Sequence, residues 1–210
     1  MKTDLEDIIK ACKKQKRPAQ QEVYERYADK MRAVCRRYCK NTDDAEDQLQ
    51  EGFIKVFKNI GQYDWKGSFE GWMRRVFVGN TINFIKSKDY RIFSQSGGID
   101  LHEAVLVTEY DDESELFFKS DNIEIEEEVS VDELIAMLQE LPNGCRVVFN
   151  LYVIEEYGHK EIAELLNITV GTSKSQLSKA RKMLQACVSK YVAKKKKAEV
   201  KRSSWYLKVI

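Results

Sequence analysis

Apolar residues in this chain recur three and four positions apart over long stretches, the spacing that lays one stripe along a helix. Leu5, Ile8, Ile9 and Cys12 make a first stripe, and Val23, Tyr24, Tyr27, Met31, Val34 and Tyr38 a second. A third runs from Ala45 to Ile60 through Leu49, Phe53, Val56 and Phe57. Ahead of it, Asn41, Thr42, Asp43 and Asp44 form a polar helix start whose acids suit the positive end of the helix dipole. With two prolines in 210 residues, the pattern predicts an all-α chain whose front part, residues 4 to 90, is a compact bundle.

The segment HKEIAELLNITVGTSKSQLSKARKML, His159 to Leu184, has the pattern of two helices and a tight turn. Ile162, Ala163, Leu165 and Leu166 form the stripe of the first helix, and Asn167 suits the left-handed conformation that ends one. Ile168 is placed to plug the corner. Thr169 is a candidate N-cap for a second helix predicted to end near Gln185. Leu177, Ala180 and Leu184 share one side of that helix, and Lys174, Ser175, Ser178, Lys179 and Lys182 share another. Lysines that neutralise phosphates, beside short polar side chains that let a helix approach base edges, are what a DNA recognition helix needs. An ordinary amphipathic hairpin has a similar pattern, so this segment alone does not decide the function.

Between Gln62 and Arg91 a glycine-containing turn leads into a helix dense in aromatic and basic residues. Exposed aromatic faces stack on bases, and Arg74, Arg75, Lys86, Lys88 and Arg91 are placed to hold a phosphate backbone. Phe69, Trp72 and Phe77 fit a core role. Tyr63 and Trp65, in the turn, are expected to face solvent.

The formal net charge of +1 conceals a partition: residues 1–90 carry +5, residues 91–140 carry −13 and residues 141–210 carry +9. Two basic ends around an acidic middle imply two lobes with affinity for polyanions and a connector that repels them. The connector, about residues 91–129, is expected to be extended, and a basic tail, 190–210, to be solvated. Five cysteines at irregular spacing fit reduced thiols. Cys35 and Cys39 lie one helical turn apart, but with two histidines in the chain no metal or other cofactor is expected. No apolar run approaches the roughly 20 residues that span a bilayer. A charged start unlike a signal peptide places the protein in the cytoplasm. There is no phosphate-binding glycine loop, no paired histidines and no nucleophile with an evident base, so no catalytic site is expected.

Three segments, DAEDQLQEGFIKVF at Asp44 to Phe57, SFEGWMRRVFVGNTINFIKSK at Ser68 to Lys88, and KEIAELLNITVGTSKSQLSKARKML at Lys160 to Leu184, together resemble the extracytoplasmic-function (ECF) group of bacterial sigma factors. The likeness covers most of residues 4–90 and 130–188. It implies two small helical domains joined by the acidic linker: residues 1–90 binding core RNA polymerase and reading and melting the minus-ten element, and residues 130–189 forming a winged-helix-like helix-turn-helix for the minus-thirty-five element. The implied polymerase surface, toward the beta and beta-prime subunits, is Asp47, Gln50, Glu51 and Phe53. The turn Gln62 to Ser68, with Tyr63, Trp65, Lys66 and Ser68, corresponds to the loop that captures a flipped minus-ten base, and Arg74, Arg75, Lys86 and Lys88 to contacts with the strand. Thr172, Lys174, Ser175, Gln176, Ser178, Lys179 and Lys182 correspond to the minus-thirty-five contacts. An anti-sigma partner is implied as well.

The chain departs from the family pattern at three positions. Gly79 stands where the family usually has asparagine near the flipped-base pocket, and Asn80 is the candidate substitute. Ser173 replaces a valine inside the hairpin, which is expected to loosen its packing. Gln176 replaces a frequent arginine, and glutamine can pair with adenine. The competing function is a stand-alone helix-turn-helix transcriptional regulator, which leaves the front motifs unexplained.

Overall fold

The computed structural model describes the backbone of residues 4–88 and 129–206, and side chains within 4–87 and 129–195. The acidic connector therefore lies outside the described residues, apart from its last position. The front helices are α1 (Leu5–Lys13), α2 (Arg17–Tyr38), α3 (Thr42–Asn59) and α4 (Phe69–Lys88), with a 3-10 turn at Ile60–Gln62. The rear helices are α5 (Val131–Glu140), α6 (Asn143–Phe149), α7 (His159–Leu166) and α8 (Val170–Tyr206), with a π-helical turn at Asn150–Ile154. Among the described residues there is no strand.

Polar residues mark the helix starts. Asn41 Oδ1 accepts the Asp44 N–H at 2.7 Å, and Ser130 with Glu133 closes a capping box at α5. Asn167 ends α7 in the left-handed region (φ 57°), and Thr169 Oγ1 accepts the Thr172 N–H at 3.0 Å at the start of α8. α8 does not stop near Gln185 but continues to Tyr206. No glycine or proline interrupts that stretch, and the Tyr191 hydroxyl donates to Glu133 on α5, tying the extension back.

Ile8, Ile9 and Cys12 of α1, Val23, Met31 and Tyr38 of α2, Leu49 and Val56 of α3, and Met73, Phe77 and Ile82 of α4 are buried together. Val147, Val148, Leu151, Ile162, Leu166 and Leu177 of the rear helices belong to the same apolar cluster. Front and rear thus share a core. Cys35 and Cys39 lie inside it, and burial pushes the Cys35 thiol up to about 12.

Polar contacts reinforce the junction. The last carbonyls of a helix have no partner within it, and those of α2 are capped by side chains from the rear. Gln139 donates to the Arg36 carbonyl at 3.2 Å, Asn150 to Arg37 at 3.0 Å and Arg146 Nε to Tyr38 at 2.9 Å. Arg146 is 1% exposed, and its cation complements the negative end of the α2 dipole. It also donates to the Gln139 and Leu141 carbonyls, both at 3.1 Å.

Candidate nucleic-acid interface

The loop between α3 and α4 is built on stacked aromatics. Tyr63, Phe69 and Trp72 pack ring against ring with centroids 5.3–5.7 Å apart. The Tyr63 hydroxyl donates to the Gly67 carbonyl at 2.9 Å. Tyr63 is therefore buried, not solvent-facing: the turn folds back and lays its ring on Phe69 and Trp72. Trp65 lies on top, 44% exposed, with the Lys13 ammonium 5.3 Å from its ring. Its backbone is held at φ 67°, a conformation that a bulky residue adopts only where surrounding structure imposes it, and such strain clusters at functional sites. Lys66 is exposed and paired with Asp64 at 2.9 Å. Ser68 caps α4, its hydroxyl accepting the Gly71 N–H at 3.0 Å.

Along α4, Arg75 points to solvent, whereas Arg74 is engaged by Glu155 of the rear half at 2.6 and 3.1 Å. Lys86 donates to the Leu165 carbonyl at 2.7 Å, and the side chain of Lys88 lies outside the described residues. Asn80 does not replace the missing asparagine at 79. It is buried, donates to Gln48 Oε1 at 2.8 Å and accepts from Lys55. Gly79 has open space around it, nothing lying within 4 Å of a Cβ there.

On α3, Asp47, Gln50 and Glu51 are exposed on one face. Phe53 is not on it: at 4% exposure it packs edge-on against Phe77 in the core. Ile54, 59% exposed, is the apolar residue on that face, and the spacing 47, 50, 51, 54 was the signal for it.

In the hairpin, Leu177, Ala180 and Ser173 of α8 are buried, while Lys174, Ser175, Lys179 and Lys182 are exposed and Ser178 is half-buried. Ser173 is fully buried and its hydroxyl is partnered. Its hydroxyl lies 2.9 Å from His159 Nδ1, and the imidazole stacks on Tyr152 at 4.5 Å. Burial first, then Lys174 and Arg181, lower the His159 pKa from its usual 6.5. Thr172 faces back to Thr169 at the cap. Gln176 is half-buried and its Oε1 accepts from the Cys145 thiol at 2.8 Å, so its carbonyl is turned inward.

Two models of one sequence family match this chain. The family model "Sigma-70 region 2" covers residues 23–91 and "Sigma-70, region 4" covers residues 132–184. The ECF RNA polymerase sigma factor SigW of Bacillus subtilis (strain 168) is 31% identical over 194 residues, spanning 88% of this chain and 97% of SigW. The chain belongs to the ECF sigma factors.

The ECF RNA polymerase sigma factor SigE of Mycolicibacterium smegmatis is 28% identical over 174 residues, 83% of this chain and 63% of that protein. A solved structure of the sigma factor RpoE with the anti-sigma factor NepR from Bartonella quintana aligns over 80% of this chain and 96% of its own, at 15% identity and a TM-score of 0.47. This sigma factor binds core RNA polymerase and directs transcription initiation at promoters. The stand-alone regulator is thereby set aside, since the likeness extends through the front helices. Among the described residues no helix is long and apolar enough to cross a membrane.

Proposed function

We propose a division of labour within this sigma factor. Residues 1–90 dock on the polymerase through Asp47, Gln50, Glu51 and Ile54 and take the melted minus-ten strand at Trp65, Lys66, Arg74 and Arg75. Residues 130–189 grip the minus-thirty-five element through Lys174, Ser175, Ser178, Lys179 and Lys182. The acidic linker, 91–129, joins them. The chain works in the cytoplasm and supplies recognition, while the polymerase supplies the chemistry. An anti-sigma protein that masks these surfaces is part of this reading.

The observation that carries it is the split of α8, with Ser173, Leu177 and Ala180 turned to the core and the lysines to solvent. That is the geometry with which a recognition helix enters a major groove. The test combines the purified chain, core RNA polymerase and supercoiled bacterial DNA, with transcript starts mapped. New starts that disappear with both Lys174→Ala and Lys179→Ala, while polymerase binding persists, support the assignment. Loss of polymerase binding with those substitutions refutes it.

A further inference from the structure

Arg74 and Arg37 converge on one carboxylate. Glu155 takes two hydrogen bonds from Arg74, at 2.6 and 3.1 Å, and sits 3.5 Å from Arg37 Nη2. Its side chain is 7% exposed, against 18% for Arg37 and 36% for Arg74. The backbone places it deliberately: Glu155 closes the π-helical turn through its N–H to Asn150 at 3.0 Å, and Glu156 follows at φ 60°.

One carboxylate does not use all that these two guanidiniums offer. Among the described residues, Nε of Arg37 is buried with no hydrogen-bond partner, while Nη2 meets Glu155 in the 3.5 Å ion pair. Beside Arg74 opens a cleft of about 230 Å3 lined by Arg74, Arg75, Glu155, Glu156 and Tyr157, with Arg37 buried outside its lining. Two convergent guanidiniums, one with a spare buried donor, suit an anion with more oxygens than a carboxylate, and arginine forks match phosphate as they match carboxylate.

We propose that Arg37 and Arg74 form a seat for a backbone phosphate of the melted promoter strand, and that Glu155 occupies it as an intramolecular competitor while front and rear halves are closed on each other. The seat rests on the reading of Arg74 as a strand contact; Arg37, on α2, is an addition to it. Opening the chain withdraws Glu155 and leaves two like charges side by side, a state that favours capture of an anion.

The test is binding of a fluorescent, mixed-sequence single-stranded DNA of about 12 nucleotides to the full chain, with and without Glu155→Ala. The variant is expected to bind about tenfold more tightly, as when an open state of roughly a tenth of the population becomes dominant. Its salt dependence steepens by about 0.7 in log–log slope, the share of one phosphate contact on a single strand. Adding both Arg37→Ala and Arg74→Ala to Glu155→Ala removes that added slope. Glu155→Gln, which keeps the shape and removes the charge, moves affinity in the same direction by less and decides the matter if the alanine variant is unfolded by circular dichroism. Unchanged affinity, an unchanged slope, or a gain that survives both arginine substitutions overturns the proposal. Promoter melting by the holoenzyme separates the two layers. If Arg74→Ala leaves melting intact, the strand reading itself fails; if Arg74→Ala impairs melting while Glu155→Ala gains nothing, only the competitor role fails.

Discussion

Gly52 of α3 sits directly under the ring of Phe77 of α4, so a Cβ at position 52 would stand 2.2 Å from Phe77 Cε1. The glycine is there for close helix approach. Alanine has the better helix propensity by about 1 kcal/mol, yet overpacking a dense core costs more. Gly52→Ala is expected to destabilise by about 1–3 kcal/mol in urea unfolding. Phe77→Leu in the same chain should recover part of the loss, a coupling that a double-mutant cycle measures.

Arg146 holds three backbone carbonyls from a fully buried position. Arg146→Met preserves much of the volume but strands those acceptors, and a loss of roughly 2–4 kcal/mol is expected. Hydrogen exchange at the end of α2 should rise in this variant. Unchanged exchange there would show that the cap from the rear half is dispensable.

His159 folds as the neutral ring, since its pKa lies below the ordinary 6.5. The unfolded chain therefore takes up a proton first as pH falls. Stability should be full above about pH 6.5 and decline below it, until the folded ring also protonates. Urea midpoints between pH 7.5 and pH 5 test this, with His159→Gln expected to flatten that part of the profile.

Gly79 has room for a side chain, and Asn80 is occupied in the core. Gly79→Asn should stabilise α4 by on the order of 0.3 kcal/mol and change the base preferred in the minus-ten element. Transcription from a promoter library randomised there reads the change. An unaltered preference would place position 79 outside the base pocket.

Lys174→Ala with Lys179→Ala should weaken holoenzyme binding to duplex promoter DNA and reduce its salt slope by about two. Polymerase affinity should remain as it was. Titration at several salt concentrations distinguishes lost phosphate contacts from a distorted helix.

The helices and the hairpin were legible because each rests on local spacing. Ile162, Ala163 and Leu166 are buried as their periodicity implied, and Asn167 and Thr169 do what those residue types do at a turn. The spacing rightly put Phe53 in the buried stripe of α3; its role on the polymerase surface, with the roles given to Tyr63 and Asn80, failed for one shared reason. Each was assigned a surface role, but each is covered by a neighbour that packs on it through tertiary structure: Trp72, Phe77 and Gln48 respectively. The contacts of Glu155 with Arg74 and of Arg146 with Tyr38 join residues 81 and 108 positions apart. No periodicity in the chain encodes a pairing at that separation. Ser173 was visible as a departure, but its compensation by His159, 14 residues away, depends on how the two helices of the hairpin cross.

The capping of α2 by side chains from the rear half also has a consequence in time. Asn150 lies 113 residues beyond the Arg37 carbonyl that it satisfies. At about 5–20 residues per second of synthesis, the nascent front half waits roughly 6–23 s before its helix end is closed. During that interval the last turn of α2 is free to fray on the ribosome, and the protein becomes whole only as its final third emerges.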